Sequence, residues 1–237
     1  MTIDVSLPAP TAADDRGLVA QTVPPNYASV TVDVDLTGVQ RLCDRVQADF
    51  RRTHDAPIDH LPFVFRAVMV GFAAYPQLAA TIDDAGIAQI AADPHLQIGV
   101  KSPDGPKFPV VRSAANLSVT DLALELARYA KLAIESRLAS EDLRGGSFSV
   151  LDYGARGILF GSPCVVRPQV AILGVGQLLR RPSVIGDRGL DTITIRDRAY
   201  LSLGYDTRHV DGPIATRFLD DLRTWLENTG PNVELHY

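Results

Sequence analysis

The sequence predicts a mixed α/β fold, and three features lead to that expectation. Short stretches alternate apolar and polar residues with a period of two, and others repeat apolar residues at helical spacing. The two kinds succeed one another without the strict strand-helix alternation of a Rossmann or barrel fold. Most extended pieces fall in the second half of the chain, and no internal repeat is present.

Residues 1–24 are rich in Pro, Ala, Asp and Thr, lack periodicity and read as an N-terminal arm, leaving 25–237 as the folded domain. From Tyr27, Val30, Val32 and Val34 alternate with Thr31, Asp33 and Asp35, the pattern of a half-buried strand whose aspartates face water. Val39, Leu42, Cys43, Val46 and Phe50 then repeat at helical spacing. Thr53 to Asp59 is a polar loop, Pro62 suits a first helical turn, and Phe63 to Tyr75 is so apolar that its helix must be buried on most faces. Leu96, Ile98 and Val100 alternate again, Ser102-Pro103-Asp104-Gly105 has turn chemistry, and Phe108 to Val111 reads as the returning strand. Ser118 with Asp121 marks the start of a helix reaching Arg137, with Leu122, Leu126, Tyr129 and Ala133 in one stripe. Four further extended pieces are expected at Ser147 to Leu151, Val165 to Val175, Thr192 to Ile195 and Tyr200 to Tyr205. Pro213 opens a last helix with Ile214, Phe218, Leu222 and Trp225 on one face, stopped at Asn228-Thr229-Gly230-Pro231.

Composition narrows the function. The 237 residues are 46% hydrophobic and 22% charged, which excludes a disordered or low-complexity protein. The net charge of -5 and the lack of any basic run argue against nucleic acid as a partner. Two cysteines, Cys43 and Cys164, have neither metal nor disulfide-framework spacing, so no metal site is expected. No signal peptide or membrane-spanning stretch is evident, and a cytoplasmic protein is expected. Gly174-x-Gly176 lacks a third glycine and a following helix, so it is no dinucleotide site. His54, His60, His95 and His236 read as solvated or capping residues.

The densest cluster of chemically capable residues is Tyr205-Asp206-Thr207-Arg208-His209-Val210-Asp211-Gly212, between a strand and a proline-started helix. Two readings stand side by side. In one, Asp211 and Gly212 cap the helix, Arg208 pairs with a carboxylate and His209 is exposed. In the other, His209 is a general base for a hydroxyl or thiol, its pKa lying near neutrality.

Several motifs, in order, carry a family resemblance. They are Val32-Asp33-Val34-Asp35-Leu36-Thr37, Ile98 to Gly105 followed by Pro109-Val110-Val111, Leu143 to Val150, Pro168 to Gly176, and Tyr205 to Gly212 with Phe218-Leu219 and Leu226-Glu227-Asn228. Over Tyr27 to Asn228 the chain resembles the catalytic domain of the dihydrolipoamide acyltransferases of 2-oxo acid dehydrogenase complexes, relatives of chloramphenicol acetyltransferase. The resemblance implies a two-layer α/β sandwich of mixed sheet and helices, assembled as homotrimers. It also implies a channel at the subunit interface that coenzyme A and the acyl acceptor enter from opposite ends. A histidine takes the acceptor's proton and a hydroxyl stabilises the tetrahedral oxyanion.

Two positions depart from that pattern. The family's Asp-His-Arg-x-x-Asp-Gly motif places its histidine where this chain has Thr207. Its Phe-Thr-x-Ser stretch corresponds to Phe148-Ser149-Val150-Leu151, followed by Asp152 and Tyr153, so leucine replaces the hydroxyl. By resemblance the replacement machinery is expected in the same loops. His209 would be a relocated base oriented by Asp152, Asp211 would hold the turn through an arginine, and Thr207 or Tyr153 would donate to the oxyanion. Arg180 is the candidate for the phosphates of acyl-CoA, a cosubstrate rather than a bound cofactor. With only about 25 residues before the first strand and no lipoyl domain in the sequence, the expectation is a free-standing enzyme outside any dehydrogenase complex. It would move a short acyl group, acetyl first, to a hydroxyl of a small or carrier-bound specialised metabolite. The alternative is a catalytically silent scaffold, or a fold repurposed for elimination or cyclisation.

Overall fold

The computed structural model describes residues 26–187 and 190–229. The arm at 1–24 and His236 lie outside the described residues. β1 (Tyr27–Asp35) runs into α1 (Thr37–His54), and the Asp35 carboxylate accepts the Thr37 N–H at 2.9 Å to hold the first turn. α2 (Leu61–Gly71) ends earlier than the apolar run suggested. A Cβ at Gly71 would stand 2.7 Å from the Phe218 ring, so glycine is what lets the last helix pack this closely. A short hairpin, β2 (Ala80–Ile82) and β3 (Ala88–Ile90), follows. β4 (Leu96–Ile98) and β5 (Val110–Val111) pair antiparallel, as the turn at 102–105 requires. α3 (Val119–Ile134) begins with the expected capping box between Ser118 and Asp121.

The second half differs more from expectation. β6 (Phe148–Asp152) forms as anticipated, but β7 (Ala171–Val175) starts well after Val165. Pro168 has no N–H to give a ladder, and the preceding residues form a loop instead. The two pieces expected at 192–195 and 200–205 are one long strand, β9 (Leu190–Asp206), paired along its first half with β8 (Leu179–Asp187). α4 (Gly212–Thr229) closes the fold.

The main sheet has the order β1-β9-β7-β6-β4-β5, with β8 pairing β9 beside this path; β4, β6 and β7 are parallel and the other pairs antiparallel. Val34, Leu201, Leu203, Leu173, Val175, Phe148 and Val150 turn to one side and join the buried faces of α1, α2, α3 and α4 in a single core. Around Phe218 the rings of Phe72 and Phe148 lie at 6.1 and 6.4 Å between centroids. This is the expected two-layer sandwich. The opposite face of the sheet is polar. Thr31 and Ser202 hydroxyls meet at 2.9 Å, and the Ser149 hydroxyl lies 2.8 Å from the side-chain oxygens of both Gln97 and Gln169, with one proton to give. Asp33, expected in open water, instead bridges Arg181 (2.7 Å) and Arg198 (3.0 Å). No helix among the described residues is long and apolar enough to cross a membrane.

Candidate functional site

The turn after β9 is built around Asp206, which is only 3% exposed. Arg208 folds back onto it, its Nε 2.9 Å from Oδ1 and its Nη2 on Oδ2, and its backbone N–H reaches Oδ1 at 3.0 Å. This two-pronged, charge-assisted contact holds the Asp206 carboxyl below the usual carboxylate range. The N–H groups of His209 and Val210 both donate to Asp206 O at 3.0 Å, which closes the turn. Thr207 is exposed, and both its N–H (2.7 Å) and its hydroxyl (2.9 Å) donate to Asn26 O. Asp211 engages no arginine among the described residues. Its Oδ1 accepts the Ile214 N–H at 2.7 Å and caps α4, while Asp206 takes Arg208.

A second set of candidates stands at the end of β6. Asp152 Oδ1 accepts the Ala155 N–H at 3.0 Å, and Tyr153 N–H donates to Val175 O at 2.8 Å. The Tyr153 ring lies directly on the backbone of Gly174 and Gly161, where an added Cβ would come within 2.5 and 2.9 Å of it. Burial, with smaller contributions from Tyr27 and Cys164, pushes the Tyr153 hydroxyl up to about 12, so it keeps its proton and is a donor at any physiological pH.

These two sets are far apart within one protomer. Asp152 pairs with Val175, and Val175 with Leu201, so Thr207 lies six residues further along β9. At about 3.3 Å per residue that is about 20 Å, too far for Asp152 to orient His209 in the same chain. The carboxylate beside His209 is Asp206. Arg180 pairs with Asp197, ten residues before Thr207, which puts it about 33 Å away on the β8–β9 ribbon.

Sequence reasoning missed a cavity of about 540 Å³ at the carboxyl ends of the parallel strands β4 and β6, where ligands commonly bind in α/β sheets. Leu151, Asp152 and Tyr153 line it from β6, Val100 and Lys101 from β4, and Leu126, Ala130 and Ile134 from α3. Leu61, first residue of α2, also lines it. The preceding His60 stands at the N-cap position of α2, as one of the expected roles has it, but its side chain makes no cap and its Nε2 is buried with no hydrogen-bond partner among the described residues. Burial pushes its imidazole below the ordinary range, against the pull of Asp59 and Asp152. The only sequence signal was its position immediately before a largely apolar helix. No group of three or more His, Cys, Asp or Glu among the described residues could hold a metal ion.

With this geometry in place, the comparisons with known proteins can be weighed. The model of the 2-oxoacid dehydrogenases acyltransferase catalytic domain matches residues 18–232. The dihydrolipoyllysine-residue acetyltransferase component of the pyruvate dehydrogenase complex of Corynebacterium glutamicum is 34% identical over 82% of this chain, which spans 29% of that protein. A probable dihydrolipoamide acetyltransferase from Listeria monocytogenes superimposes with a TM-score of 0.82 and 28% identity, covering 89% of this chain and 88% of that one. The Azotobacter vinelandii dihydrolipoamide acetyltransferase does so with a TM-score of 0.78 and 26% identity over 85% and 82% of the two chains. In that enzyme a serine, a histidine and an asparagine four positions after the histidine were investigated for roles in the catalytic mechanism. The same spacing separates Thr207 from Asp211. Chloramphenicol acetyltransferase, at 15% identity and a TM-score of 0.53 over 85% and 88% of the chains, shares the fold.

These findings overturn the expected function. The relatives are dihydrolipoyllysine-residue acyltransferase components of dehydrogenase complexes, not enzymes acylating the hydroxyl of a specialised metabolite, and they support neither a silent scaffold nor an elimination or cyclisation catalyst. The chain belongs to the catalytic-domain family of the 2-oxo acid dehydrogenase acyltransferases.

Proposed function

We propose that this protein exchanges an acyl group between coenzyme A and the thiol of a dihydrolipoyl group, as one component of a multienzyme complex. Thr207 is the observation that carries this reading. Its hydroxyl donates to Asn26 O, and a threonine hydroxyl is no base near neutrality. An alcohol acceptor needs a base at that point, typically worth 10² to 10⁴ in rate. A thiol does not need one to the same degree, because it is far more acidic than an alcohol and sulfur is intrinsically nucleophilic. Loss of the imidazole is therefore tolerable for a sulfur acceptor and crippling for an oxygen one.

In the exchange, the acceptor thiolate attacks the acyl carbonyl carbon and forms a new C–S bond. The protonated Tyr153 hydroxyl donates to the oxyanion, the old C–S bond breaks, and the departing thiolate takes a proton from water. The Thr207 turn and the Tyr153 loop, about 20 Å apart in one protomer, meet only if a neighbouring copy supplies one of them, which favours a trimer with its sites between subunits. The test is to supply the full chain with acetyl-CoA and either dihydrolipoamide or the corresponding diol. Acetylation of the dithiol with none of the diol is expected. Comparable acetylation of the diol would overturn the reading.

A further inference from the structure

We propose that the acyl group this protein handles best is an apolar chain of about four to eight carbons, housed in the cavity behind Leu151 and Tyr153. The inference rests on the thiol-exchange reading and names its acyl substrate. Leu151 and Tyr153, at the end of β6 where the family pattern has its oxyanion hydroxyl, both line this cavity, so an acyl group bound at that position has the cavity beside it. Leu151 stands in place of that hydroxyl, which turns that wall apolar.

Size and polarity agree with such a tail. About 540 Å³ is far more than an acetyl methyl fills. Phe108, Leu126 and Leu151 offer apolar walls, while Ile134 and Ile158 line the same cavity and are 64% and 42% exposed, apolar surface that a bound chain would cover. The charged groups of the lining, Lys101, Arg156 and Asp152, share it with these apolar walls, and Lys101 donates to Ala155 O at 3.2 Å.

The experiment is calorimetric titration of the full chain with acetyl-, butyryl-, hexanoyl- and octanoyl-CoA, with transfer to dihydrolipoamide followed in parallel. Full burial of a methylene corresponds to about fourfold in affinity. An open-sided cavity buries part of each, so hexanoyl-CoA is expected to bind about tenfold or more tighter than acetyl-CoA. Ala130→Phe, which fills the cavity from α3, is expected to abolish the gradient. Leu126→Ala, which deepens it, is expected to shift the optimum to longer chains. Equal affinity along the series, or a gradient that survives Ala130→Phe, overturns this inference alone. Graded binding without any transfer supports it and overturns the thiol exchange, and no binding of any thioester overturns both.

Discussion

The turn after β9 and the loop after β6 have departed from their relatives in opposite ways. In the turn the frame is kept: Asp206 is buried, Arg208 grips it with two nitrogens, the backbone closes on Asp206 O, and Asp211 caps the helix that follows. One side chain is exchanged on that intact frame, Thr207 for histidine. In the loop Leu151 stands where the family pattern has a hydroxyl, beside a cavity lined from the ends of β4 and β6, from α3 and from the start of α2. On the proposed reading the first change alters rate, and the second, with Tyr153 as donor, alters which acyl group is accepted.

The largest effect should come from restoring the exchanged side chain. Because the supporting turn is intact, Thr207→His is expected to raise transfer to dihydrolipoamide by about 10²-fold, the lower end of what a positioned general base contributes, in a steady-state assay. No gain would mean that the frame is not equivalent to that of the relatives.

Breaking the frame should come next. Arg208→Ala leaves the Asp206 carboxylate buried without its partner, and denaturant unfolding should show a loss of stability, smaller than for a fully buried pair because the arginine is itself 42% exposed. Arg208→Lys cannot reproduce the two-pronged contact and should recover only part of it. If Arg208→Ala costs nothing, the pair does not organise the turn.

Acid separates the two regions. His60, beside the cavity, has its folded-state pKa lowered by burial, so the unfolded chain binds the proton more readily. The stability this gives is present above the ordinary imidazole pKa of about 6.5 and is lost as pH falls below it. Asp206 is likewise lowered, but its contribution persists until pH falls below about 4. Unfolding followed against pH should therefore show an early loss that His60→Phe removes and a later one that Arg208→Ala diminishes.

The smallest effects are expected where early candidates lie away from both regions or spend their contacts elsewhere. Arg180→Ala, on the distant ribbon, and His209→Ala, beside an already occupied carboxylate, should each change acetyl transfer by less than twofold.

Much of the frame was legible because local chemistry specified it. The alternation in β1, the Ser118–Asp121 cap and the proline-started α4 each depend on residues close in sequence. The β8–β9 ribbon was not legible as one unit. It projects beyond the core, and Val184, Ile193 and Ile195 are exposed, so no core-facing apolar pattern tied its two strands into one unit. At the turn, the residue types were visible but the choice of Asp206 over Asp211 as partner of Arg208 was not, since either carboxylate is within reach along the chain. The cavity and His60 were invisible because their lining comes from β4, α3, β6 and the start of α2, which only the fold brings together.

The central claim is that this site transfers acyl groups between sulfur atoms without an imidazole at 207, and the pH dependence of acetyl transfer from acetyl-CoA to dihydrolipoamide tests it most directly. Without a base, the rate follows the thiolate fraction and should rise close to tenfold per pH unit between about pH 6 and 8. An inflection near pH 6.5 that disappears in His209→Ala would contradict the account, because it would show that a relocated imidazole already does the work.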